Sequence, residues 1–120
     1  MAEAADRAAL VLARGMLDRG SPETAGLWPR ASALLARRAL EASVHRLWQS
    51  RKLGLERCPM GIQLICLRSY LGDPDLAARA GHAWSALTHA CHHHSYELAP
   101  TGAELKVWLS VVDELIRRVD

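Results

Sequence analysis

Along nearly the whole chain, apolar residues return at spacings of three and four, and no stretch alternates apolar with polar as a half-buried strand must. That period constrains the fold more than any other feature. A repeat of about 3.6 residues lines apolar side chains up on a helix and scatters them on a strand. The composition agrees: alanine and leucine dominate an apolar content of 50%, β-branched residues are sparse, and four Trp and two Tyr stand with no Phe. These are helix formers. At 120 residues the chain is read as one domain, 1–120, able to build a core without disulfides.

Caps and breakers divide this pattern into five helices. The first is predicted from Glu3 to Arg19, with Leu10, Ala13 and Leu17 on one stripe and Gly20-Ser21-Pro22 ending it. The second starts between Leu27 and Pro29, where a first-turn proline loses no hydrogen bond, and runs to Lys52. Its apolar face begins with Leu27, Ala31, Leu34 and Leu35. That line continues into Arg38, Glu41 and His45, while Leu40, Val44 and Leu47 carry the apolar face on another side. A loop over 54–59 leads to a third helix, Met60–Leu71, apolar nearly all round and so expected to be buried on several sides. Gly72 suits its C-terminal cap. Asp73-Pro74-Asp75 opens the fourth with a capping carboxylate, a first-turn proline and a second acid near the positive end of the helix dipole. That helix is expected to stop before Pro100. Thr101-Gly-Ala-Glu104 has the form of a capping box, and Leu105, Trp108, Leu109, Val112, Leu115, Ile116 and Val119 make the stripe of the fifth. The predicted fold is all-α, a five-helix antiparallel bundle with short connections.

Composition also narrows the function. No apolar run approaches the roughly 20 residues that span a bilayer, so no membrane is involved. The first residues are acidic and alanine-rich, unlike a signal peptide. Cys58, Cys66 and Cys91 are an odd number with no CxxC pair, which suggests reduced thiols and a cytoplasmic location. The net charge of +2 is too small by itself to mark a nucleic-acid binder. Between Arg30 and Arg57, however, seven basic residues stand against Glu41 and Glu56, a local excess of five. RNA could be met there through Arg37, Arg46, Arg51 and Lys52, although a solvated arginine-rich face is the commoner explanation. No motif asks for a cofactor.

Two sets of residues offer chemistry. The stretch from Trp84 to Pro100 holds four of the six histidines. On a helix, Leu76, Ala80, Trp84, Leu87, Cys91 and Leu98 share one face, and His82, His89 and His93 lie opposite. His89 and His93 are spaced to share a divalent ion, but further ligands would have to come from elsewhere, so no metal site is assigned. His92, His94, Tyr96 and Glu97 are candidates to stack on or hydrogen-bond a ligand at the end of the fourth helix. Their plainer role is to satisfy the carbonyls left open there.

The second set is Arg38, Glu41 and His45, at a seam between helices or subunits or in a partly buried pocket. As structure they make an intrahelical ion-pair ladder worth a few tenths of a kcal/mol per pair. As chemistry, the arginine fork suits phosphate oxygens and the histidine moves a proton near neutral pH. Together they suit attack of a ribose 2′-hydroxyl on the adjacent phosphorus without a metal. One helix is a thin site, but two copies meeting would gather two such pairs.

Arg38-Ala-Leu-Glu-Ala-Ser-Val-His45 and the helical organisation resemble the HEPN superfamily (higher eukaryotes and prokaryotes nucleotide-binding domains), whose active signature is an arginine followed after four to six residues by a histidine. Active members usually carry a polar residue after the arginine, where this chain has Ala39, and keep the signature on a late helix rather than the second. The resemblance implies a small helical bundle that forms a homodimer. It also implies work in bacterial multi-component systems such as toxin–antitoxin or phage defence, with a partner protein encoded nearby. Some members are metal-independent ribonucleases, which would make Arg38, Glu41 and His45 catalytic here. Others act as non-catalytic scaffolds, and the surplus of packing positions over catalytic groups favours that role.

Overall fold

The computed structural model describes residues 2–18, 28–92 and 99–119. These form five α-helices: α1 (Ala2–Asp18), α2 (Trp28–Arg51), α3 (Met60–Tyr70), α4 (Pro74–Cys91) and α5 (Gly102–Val119). A 3-10 turn, Leu55–Arg57, precedes α3. No strand occurs among the described residues, and no helix there is long and apolar enough to cross a membrane.

The caps form where the sequence puts them. Asp73 accepts from the Leu76 N–H at 3.1 Å ahead of Pro74. Thr101 and Glu104 close a reciprocal box, each side chain taking the other's backbone N–H at 3.1 and 3.0 Å. Gly72 takes φ 76° between α3 and α4, a left-handed turn that a side chain would strain.

α2 is the central element and touches every other one. Its buried face is Ser32, Ala33, Ala36, Ala39, Leu40, Ser43, Val44, Leu47 and Trp48. Of the early stripe expected at Leu27, Ala31, Leu34 and Leu35, the last three are only half-buried and Leu27 lies outside the described residues. Small residues win there because α1 lies close: the Ser32 hydroxyl donates to the Ala13 carbonyl at 3.3 Å, and Ala13 is fully buried. A leucine at Ala33 or Ala36 would push the helices apart. From α5, Leu105, Leu109, Val112, Leu115 and Ile116 fill the core with no exposure at all.

α3 departs from expectation. It rests on α4, the end of α2 and the 3-10 turn. Leu64 and Leu67 are buried, but Ile62 is 49% and Ile65 76% exposed. The helix is apolar all round, yet this chain covers only part of it. Gln63 pins it instead: its Oε1 accepts from Trp48 Nε1 at 3.0 Å, and its Nε2 donates to the Cys58 carbonyl at 2.6 Å.

α4 also ends sooner than expected. His92 is extended and its N–H returns to the His89 carbonyl at 3.2 Å, tightening the last turn at Cys91.

Candidate functional site

Helical period alone sets Arg38 and His45 about 20° apart around α2 and roughly 10 Å apart along it. Arg38 is exposed and His45 half-buried on the open side of the helix. Glu41 turns away from both, toward α4, where its Oε2 accepts from Trp84 Nε1 at 3.1 Å. The ion-pair ladder that the spacing allows is not made among the described residues. Glu41 belongs to a seam between helices, and the arginine–histidine pair faces outward without it.

The four cations proposed for RNA do not share a face. Nine residues separate Arg37 from Arg46, which is half a turn around the helix. Arg46 Nη1 meets Asp6 of α1 in a largely buried pair. Arg51 reaches the Tyr70 carbonyl at 3.4 Å, and Lys52 sits past the helix end at φ 56°.

Of the ligand candidates beyond Cys91, His92 is exposed, and His94, Tyr96 and Glu97 lie outside the described residues. So does His93, the proposed companion of His89. Among the described residues no three His, Cys, Asp or Glu side chains approach closely enough to hold a metal ion. The three cysteines are free thiols, each partly buried.

A constellation that the sequence did not announce lies between α2 and α4. The Glu41–Trp84 hydrogen bond sets the register of the two helices. Cys91 lies two turns beyond Trp84 on α4. Arg37 stands one turn before Glu41 on α2, and Thr88 one turn beyond Trp84 on α4. Both hold an orphan: Arg37 Nε and Thr88 Oγ1 are buried without a hydrogen-bond partner among the described residues. Burial pushes the Cys91 thiol above its ordinary range; Arg37 draws it down, Glu41 raises it and Arg30 lowers it. The signal was present as two stripes, Arg30–Arg37–Glu41 at spacings of seven and four and Trp84–Thr88–Cys91 at four and three. Nothing local says that they face each other.

On its other side α4 borders a groove with α3, about 430 Å³ in volume. Leu64, Ile65 and Gly81 line it with the Trp84 indole, and Arg68 and His82 add positive or protonatable groups. Trp84 thus belongs to both features. Comparison with protein-family models, curated proteins and solved structures finds nothing that matches this chain.

Proposed function

We propose that this chain is an HEPN-like antiparallel bundle that pairs with a second copy and works in the cytoplasm through protein contacts, within a bacterial defence- or conflict-type assembly. The observation that carries this reading is the open apolar side of α3, with Ile62 and Ile65 exposed beside the α3–α4 groove. Water gains nothing from such a surface, and contiguous apolar area of this kind marks contact sites. Arg68 and His82 line the same groove, so the apolar face carries polar groups at its rim, as contact surfaces do.

Light scattering or native mass spectrometry is expected to give twice the mass of the 13.2 kDa chain. Ile65→Glu should return it to a single copy with its helical circular dichroism unchanged, because 76% of that side chain already meets solvent. A monomer at all concentrations would end the reading. So would a dimer indifferent to Ile65→Glu.

A second reading, a metal-independent ribonuclease, draws on the shared outward side of Arg38 and His45. It puts the twofold contact on α2, where two copies would bring both pairs to one phosphate. RNA cleavage that persists in EDTA and growth arrest on expression, both lost in His45→Ala with the fold intact, would support it. RNA left whole by the folded protein counts against it. The two readings use different faces, so Ile65→Glu separates them: it dissolves the first dimer and spares the second.

A further inference from the structure

We infer that the groove between α3 and α4 binds a small aromatic carboxylic acid, with the ring against Trp84 and the carboxylate held by Arg68 and His82. The site shares Ile65 with the contact face proposed above but does not rest on that reading, because one copy supplies every group.

Three observations carry it. The groove encloses about 430 Å³, within the roughly 300–1,000 Å³ of small-molecule sites. It stays open because Gly61 and Gly81 bring no side chain to its walls, and a Cβ at either would meet nothing within 4 Å. Next, the walls are mostly apolar. The Trp84 indole commits its N–H to Glu41 Oε2 at 3.1 Å, so it meets the groove beside Leu64 and Ile65 as ring surface rather than as a donor. Lastly, the charge is one-sided. Arg68 and His82 line the groove and no carboxylate does. Neither side chain has an ion pair or hydrogen bond among the described residues.

Charge and size together choose the occupant. A guanidinium fork takes a carboxylate through two parallel hydrogen bonds, and an aromatic body gains edge or offset contact with the indole. A protein partner needs about 800 Å² on each side. The groove runs only from Gly61 to Arg68 along α3, about 10 Å at 1.5 Å per residue, and is too short to seat one by itself.

The test titrates the whole protein with 1-naphthaleneacetate at constant pH and ionic strength. The Trp84 indole N–H and Gly81 amide signals are followed by ¹⁵N NMR, the first assigned by its loss in Trp84→Phe. Both signals are expected to shift saturably. 1-Naphthaleneacetamide, the neutral isostere, should bind at least about tenfold more weakly, the usual worth of a hydrogen bond to a charged group. Acetate, which lacks the ring, should leave the indole signal in place. Arg68→Gln should weaken binding of the acid about tenfold and erase its preference over the amide. His82→Ala should weaken it several-fold, and Arg57→Gln on the 3-10 turn not at all. Gly81→Leu should abolish binding of both compounds by filling the groove. Leucine favours a helix over glycine, so this variant stays folded, as circular dichroism checks. Ile62→Gln, outside the groove, should leave binding unchanged whatever it does to the oligomeric state, which separates this site from the contact face. Signals unmoved by naphthaleneacetate overturn the proposal, as does binding indifferent to Gly81→Leu. Equal binding of acid and amide overturns the carboxylate assignment. Displacement of the acid as the protein is concentrated makes a second copy the occupant and overturns the proposal too.

Discussion

Trp48→Ala is expected to cost about 3–5 kcal/mol, the range for emptying a fully buried aromatic site. Trp48 has no exposed surface, and its role exceeds its volume. Its ring meets Tyr70 edge-on at 5.7 Å and 88°, which ties the end of α3 to α2. Its Nε1 donates to Gln63, and Gln63 in turn holds the Cys58 carbonyl at the loop before α3. Alanine removes the ring and leaves the buried Gln63 oxygen without its donor. Trp48→Phe separates these parts, keeping most of the volume but still stranding that oxygen, at about 1–3 kcal/mol. Urea unfolding followed by circular dichroism should rank wild type above Trp48→Phe and Trp48→Ala last. Domains of this size hold only about 5–15 kcal/mol in total, so the alanine variant loses a large share of its stability. A loss under about 1 kcal/mol would mean that α3 is not anchored through this residue. A phenylalanine variant as stable as wild type would remove the hydrogen bond from the account.

How much of this was legible in the sequence depends on the range of the signal. Caps are local. The Asp73 cap and the Thr101–Glu104 box engage backbone groups within three residues, and both form as read. The α5 stripe is nearly as secure, because one face with clean spacing has one way to turn. α2 was harder, since a central helix is covered from several sides. Hydrophobicity favours its leucines, yet the buried early positions are Ala33, Ala36 and Ala39, where closeness to α1 rewards small side chains. For α3 the limit is of another kind. An all-apolar helix says that it will be covered but not by which chain, and Ile65 remains open.

The site divides along the same line. Arg38, Glu41 and His45 share a helical stripe, and that much follows from counting. Glu41 leaves the trio because of Trp84, which is 43 residues away in sequence. Arg37 was read as one of four cations on a solvated face, and instead it is half-buried. Long-range pairing of two stripes carries no local mark, so the Glu41–Trp84 contact emerges only in three dimensions.

Asp6→Ala should be almost as damaging as loss of Trp48, for an electrostatic reason. Asp6 and Arg46 join α1 to α2, with side chains only 11% and 17% exposed, and Arg46 Nη2 also reaches the Ser43 hydroxyl at 3.3 Å. Without the carboxylate, a guanidinium stays where water reaches it poorly, and breaking such a pair from one side costs about 3–5 kcal/mol. Exposed pairs such as Arg117–Asp113 are worth less than about 1 kcal/mol, because solvent screens them. The damage should concentrate in α1, which among the described elements packs on α2 and α5 and on no other. Its amides should lose hydrogen-exchange protection before those of α5. Removing both charges together, as in Asp6→Leu with Arg46→Met, should recover most of the loss, since the poorly solvated guanidinium leaves with its carboxylate. The four stabilities make a double-mutant cycle, and a coupling well above the roughly 0.5 kcal/mol tolerance for independent sites is expected. Additive losses would instead show that the two side chains reach solvent and that α1 is held by apolar packing at Leu10 and Ala13 with the Ser32–Ala13 hydrogen bond.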